Sequence, residues 1–219
     1  MKVRISTQTV VDLQNKQVGQ LQIASQHSMS FGFMPQLIAE FARTRADMNI
    51  AFQSQYSSKI QEWVLSGLFE VGVCEMPLLY DTLHCYPFNV DTRIALHKDN
   101  PLTSHDVLTP ALLHNEPFVV MGTDHITLRH LRDAFSQADV SLRARVHSHL
   151  FKNLLDFVKE GMGVALVDRF ATEFDRDDRF VVRRFEPSIH MKMAIITSST
   201  RPLSQLGKEF LAVLLNAVQ

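Results

Sequence analysis

Apolar positions along the chain follow two alternating periods. Short apolar runs at Gln20–Ser25, Asn49–Ser54 and Glu70–Cys74 predict three buried strands. Between them Met34, Leu37, Ile38 and Phe41 recur at i, i+3, i+4 and i+7, and Ile60, Trp63, Val64 and Leu68 form a second stripe, so a helix separates each pair of strands. Pro35 fits the first turn of the first helix. Ser58 and Gln61 have capping-box spacing, and Gly67 suits the end of the second helix. This β-α-β-α-β order with short connections predicts a parallel sheet flanked by helices. After a longer extended stretch from Leu83 to Leu102 the pattern repeats. Strands are expected at 117–122, 143–148 and 163–168. Leu128, Leu131, Ala134 and Phe135 mark one helix, and Phe151, Leu154, Leu155 and Val158 another, ended by Gly161. Further strands are expected at Phe180–Phe185 and Met191–Thr197. A last helix should start near Ser204, with Leu206, Phe210, Val213, Leu214 and Ala217 on one face.

Two such halves predict an α/β protein of two Rossmann-like lobes joined by crossing strands. Residues 1–18 read as a linker remnant, 19–90 with 196–219 as lobe I, and 91–195 as lobe II. No Pro/Gly/Ser-rich linker parts the halves, so the crossings are expected near Asn89–Thr92 and Ala194–Thr197. The net charge of -1 and the 22 dispersed Lys and Arg argue against a phosphate-tracking surface. Cys74 and Cys85 read as two reduced thiols. The first residues lack the apolar core of a signal peptide, and no apolar run approaches the ~20 residues that span a bilayer. The chain therefore reads as soluble and cytoplasmic, with no membrane partner.

In open α/β sheets ligands bind beyond the carboxyl ends of the strands. The residues there are polar. Ser25, Gln26, His27, Ser28 and Met29 follow the first strand; Ser54, Tyr56, Ser57 and Ser58 the second; Glu75 and Met76 the third. In the second half, Gly122, Thr123, Asp124 and His125 follow one strand, and His147, Ser148 and His149 close another. Hydroxyls beside helix N-termini suit an anion such as a carboxylate. Taken singly, Ser57, Ser58 and Thr127 read as helix caps, and Asp124 can cap as well. Glu75, Asp124 and Asp168 read in two ways, as partners of a ligand ammonium or guanidinium and as surface or inter-lobe carboxylates. His27 and His125 are either ligand donors or solvated and capping histidines.

The candidate ligand-binding set is Ser25, His27, Ser28, Ser54, Tyr56, Ser57, Glu75, Thr123, Asp124, Ser148 and Asp168, and it suggests a zwitterion such as an amino acid. His147 and His149 would share one face of a strand, but no third metal ligand has suitable spacing, so neither metal nor cofactor is expected. No nucleophile elbow, H-E-x-x-H, P-loop or G-x-G-x-x-G occurs, and Cys74 lies in an apolar strand, so no catalytic residue is expected.

The stretches "GQLQIAS", "FMPQLIAEF", "FQSQYSSKIQEWVLSGLFEVGV", "ALHKDNPL", "LLDFVKEGMGVALVD" and "LSQLGKEFLAVL", in this order, resemble the effector-binding domain of LysR-type transcriptional regulators over about residues 15 to 217. The resemblance implies a type 2 periplasmic-binding-protein-like fold with a small-molecule cleft between two lobes. It also implies assembly into homodimers or homotetramers, the helices near Met34–Phe41 and Leu128–Phe135 pairing head to tail. The family's winged helix-turn-helix is not in this sequence, so DNA binding is expected only through such a domain, and the chain reads as an isolated effector domain. Many members carry Pro where Asp168 stands, and Asp there resembles the subgroup that senses opines and diamino acids. A transport-type solute-binding protein of the same fold is the alternative.

Overall fold

A computed structural model describes residues 19–45 and 47–219; the expected linker at 1–18 lies outside the described residues. These residues form two compact α/β units. The first is built from 19–30, 34–88 and 193–219, the second from 31–33 and 89–192. The chain crosses between them inside two long strands, β4 (Leu83–His97) and β10 (His190–Ser198).

In the first unit β1 (Gln20–Ser25) lies between β2 (Asn49–Ser54) and β3 (Val71–Glu75), all parallel, and β10 pairs antiparallel with β3. The register sets Ser25 opposite both Ser54 and Val73, so β1 and β2 end level while β3 runs two residues further, to Glu75. Strand β3 starts one residue later than its apolar run suggests; the Glu70 N–H still bonds Gln22 C=O of β1, while the Glu70 side chain turns to the start of the last helix. Its carboxylate accepts hydrogen bonds from the backbone N–H and the hydroxyl of Ser204, at 2.9 and 2.8 Å.

The helices follow the expected stripes in part: Ile38 and Trp63 are half-buried, and Leu68 is exposed and lies past the end of its helix. In α2 (Phe33–Ala42) Met34, Leu37 and Phe41 are buried, and in α3 (Ser57–Ser66) Ile60 and Val64 are buried. Gly67 ends α3 in the left-handed region at φ 76°, a conformation that glycine adopts without a Cβ penalty. A four-residue turn of helix, α1 (His27–Ser30), precedes α2 and was invisible in the pattern because it is too short for periodicity. On the last helix, α7 (Gln205–Ala217), the buried residues are Gly207, Phe210, Leu211 and Leu214, while Val213 is exposed. The buried face is thus turned by about one residue from the expected one. Phe210 sets it by meeting Phe41 edge to face, ring centroids 5.3 Å apart.

In the second unit β4 pairs antiparallel with both β8 (Ala165–Asp168) and β9 (Phe180–Phe185), and the short β5 (Val107–Leu108) lies parallel to β9. A parallel pair, β6 (Pro117–Met121) and β7 (Arg143–Ser148), is joined by Val164, whose N–H and C=O bond to Pro117 and Val119. Helices α4 (Ile126–Gln137) and α5 (Phe151–Lys159) bury the expected residues. A short α6 (Arg169–Glu173) follows β8. Phe118 against Phe135, 5.5 Å apart, lies within this unit's core with Ile94, Leu128 and Leu166. Extended structure after Leu83 stops at His97, because Asn100 caps a 3-10 turn at Pro101–Ser104.

Candidate functional site

The carboxyl ends of β1, β2 and β3 form one bonded rim. His27 Nδ1 lies 2.7 Å from Ser54 Oγ, and the His27 ring meets Tyr56 edge to face at 5.0 Å. Ser57 Oγ accepts the Glu75 N–H at 2.9 Å, which ties the start of α3 to the end of β3. Gln26 bridges the turn: its N–H donates to Val73 C=O, and its Oε1 accepts the Ser28 N–H at 3.0 Å. Ser25 is fully buried and donates to Gln26 C=O, whereas Tyr56 is 58% exposed. Partial burial pulls the His27 pKa below its ordinary value, so the imidazole is neutral at pH 7.

This rim overturns the capping-box reading. The N-cap of α3 is Tyr56, with no side-chain bond, and the helix already includes Ser57. Ser57 serves Glu75, and Gln61, 1% exposed, accepts the Leu79 N–H at 2.6 Å. Both are consumed by tertiary contacts whose partners lie 18 residues away. Cys74 is buried in the core with Ile60 and Val64. Burial, then the neighbouring Cys85 and Glu75, pushes its thiol up to about 12, which suits a packed residue rather than a nucleophile.

In the second unit Thr123 and Asp124 follow β6 and Ser148 closes β7, and Met121 and Ser148 are register partners. Thr123 and Asp124 are exposed. Gly122 admits the His149 ring: a Cβ there would sit 2.7 Å from Nδ1 and 3.0 Å from Asp124 Oδ1. Strand β7 ends at Ser148, so His147 and His149 do not share a strand face, contrary to the H-x-H reading. Among the described residues no three His, Cys, Asp or Glu gather as a metal site. The cap of α4 is neither Thr127 nor Asp124. It is His125, whose Nδ1 bonds the Thr127 N–H and hydroxyl at 3.3 and 2.8 Å. Asp168, fully buried at the end of β8, caps α6 by accepting the Ala171 N–H at 2.9 Å. That role was not legible in the sequence, because α6 has only five residues.

Seven of the expected residues therefore meet on the first unit's rim: Ser25, His27, Ser28, Ser54, Tyr56, Ser57 and Glu75. Thr123, Asp124 and Ser148 lie at the carboxyl ends of β6 and β7 on the second unit, and Asp168 is a buried cap there. Gln26, which ties β3 to α1, joins the first rim although the sequence reading left it out of the site.

Two α/β units linked through two long strands define a type 2 periplasmic-binding-protein-like fold. The regulatory domain of CcmR from Synechocystis PCC6803, solved in complex with 2-PG, matches with a TM-score of 0.76 at 16% identity, over 92% of this chain and 98% of that one. A family model described as LysR substrate binding domain matches residues 14–219. The chain belongs to that family, the effector-binding domains of LysR-type transcriptional regulators. Among its relatives are the regulatory protein NocR of Agrobacterium tumefaciens (strain T37), 24% identical over 209 residues, and the octopine catabolism/uptake operon regulatory protein OccR of Rhizobium meliloti, 23% identical over 174 residues. The matches cover 95% and 80% of this chain but 70% of NocR and 57% of OccR. No helix among the described residues is long and apolar enough to cross a membrane.

Proposed function

We propose that this domain senses a small carboxylate or amino-acid-like effector, opines included, for a LysR-type regulator. The observation that carries the reading is the first unit's rim, where hydroxyls, an imidazole and the start of a helix are fixed by mutual hydrogen bonds at the carboxyl ends of three adjacent strands. Neither Lys nor Arg is among these residues, so a carboxylate there would be held by neutral donors, Ser54, Tyr56 and His27 foremost. Glu75 and Asp124 are the groups suited to an ammonium or guanidinium, and Thr123 and Ser148 supply further hydroxyls. OccR's link to octopine, an amino-acid derivative, agrees with a zwitterionic effector. In the whole protein this domain would act on DNA through a helix-turn-helix outside these residues, in the cytoplasm, as a homodimer or homotetramer. Effector binding would shift a pre-existing conformational equilibrium rather than support turnover.

The test is a thermal-shift screen of amino acids, opines and aromatic acids. An effector at 100 times its Kd adds about 2.7 kcal/mol, which raises the Tm of a chain this size by roughly 5–11 °C. Ser54→Ala and Thr123→Ala should each weaken the effector found, by roughly three- to tenfold, without unfolding the domain. Silence across the whole panel, or undiminished calorimetric affinity in both variants, removes the reading.

A further inference from the structure

The opposite end of the first unit's sheet carries a cavity that the sensing rim does not use. Its volume is about 590 Å³, within the range of about 300–1,000 Å³ typical of small-molecule sites. Strand β1 enters it at Gln20 and reaches the rim at Ser25. Five strand steps of about 3.3 Å place the two some 16 Å apart. The lining mixes an apolar wall of Phe69, Leu203 and Leu206 with the polar side chains of Gln22, Glu70 and Arg201, all within this unit.

The two charged groups are not equivalent. Glu70 is spent on the start of α7, where it accepts both bonds from Ser204 while Ser204 Oγ caps Gly207 N–H at 3.0 Å. Arg201 makes no ion pair and no hydrogen bond among the described residues. Its stem instead lies on Gly67: a Cβ there would come within 2.3 Å of Arg201 Nη1 and 2.6 Å of Cδ. Gly67, already required by its left-handed φ, leaves room for this approach, and the guanidinium lies at the negative end of α3. A guanidinium without a charged partner beside an apolar wall matches a ligand with one anionic head and an apolar body, since its planar fork fits a carboxylate.

We propose that this cavity is a second small-molecule site, which takes an amphipathic monocarboxylate with its head on Arg201 and its body against Phe69, Leu203 and Leu206. Benzoate and hexanoate are the probes, and benzamide is the neutral isostere of benzoate, each titrated into the ¹⁵N-labelled 219-residue chain. Both carboxylates should saturably shift the amides of Gln22, Phe69 and Leu203, with benzamide at least about tenfold weaker. Arg201→Gln, a change at an exposed side chain, should weaken benzoate about tenfold while leaving the Tm in place. Shifts confined to Ser54 and Tyr56, no saturable shift at all, equal binding of benzamide, or indifference to Arg201→Gln would each overturn the proposal. The separation of cavity and rim lets either site fail without the other.

Discussion

Lys159→Met tests the least ordinary electrostatic feature of the second unit. The Lys159 side chain is 4% exposed at the end of α5, with Nζ 2.5 Å from Asp175, 3.4 Å from Asp156 and 3.7 Å from Asp177. Burial alone would pull the ammonium down, but the hydrogen bonds and charges of Asp175 and Asp156 outweigh it and hold the lysine above its ordinary range. Burial would likewise raise the Asp175 carboxyl, yet the Lys159 bond, the Asp177 N–H and the charges of Lys159 and Lys152 hold it below the usual carboxylate range. Methionine keeps the apolar stem and removes the charge, so three carboxylates lose their common partner. Breaking a buried pair costs about 3–5 kcal/mol. Lys152, 3.5 Å from Asp175, remains as a partial substitute, which sets the expected loss at the low end, about 3 kcal/mol, or roughly 6–12 °C in Tm.

The pH dependence has a defined sign. The Asp175 contribution is present above the carboxyl's unfolded value near 3.8 and is lost as pH falls through its lower folded value. The Lys159 contribution is present below the lysine's unfolded value near 10.5 and is lost as pH rises through its higher folded value. Wild type and variant should therefore differ fully from about pH 5 to 9 and converge toward pH 3. Urea titrations from pH 7 down to pH 3 read this directly. A loss under about 0.5 kcal/mol at neutral pH, or one that persists undiminished at pH 3, would refute the reasoning.

Three further expectations concern the first unit. Gln61→Leu leaves the Leu79 N–H without its acceptor and should cost about 1–3 kcal/mol by urea denaturation; a neutral result means that the 76–79 segment finds another partner. Gly72→Ala drives a methyl to within 2.8–2.9 Å of Val64, Ile60 and Ile196, so it should destabilise by about 1–3 kcal/mol. An unchanged denaturation midpoint would show that this part of the core can yield. His27 is neutral at pH 7, and a bound carboxylate favours its protonated form. Affinity for an anionic effector should therefore rise as pH falls below the imidazole's ordinary 6.5, and calorimetry of His27→Gln should show that rise abolished.

The sequence by itself determined the order and type of the long elements. Periodicity is a local property, and strands at Gln20–Ser25, Asn49–Ser54, Arg143–Ser148 and Phe180–Phe185 carry it over their whole length. It also placed the first unit's rim, because chain order together with parallel pairing brings every strand's carboxyl end to one edge. What it could not decide is what each polar side chain does there. Ser57 and Gln61 look like cap residues, yet they bond Glu75 and Leu79 across 18 residues of chain. Asp168 looks like a ligand group, yet it closes the first turn of α6, and of the two readings open for His125 the fold takes the cap, at the start of α4. The exposed side of α7 and the position of Arg201 over Gly67 likewise depend on partners remote in sequence. A hydrogen bond needs its donor and acceptor within about 3 Å of each other, and for residues far apart in the chain only the folded packing brings them that close.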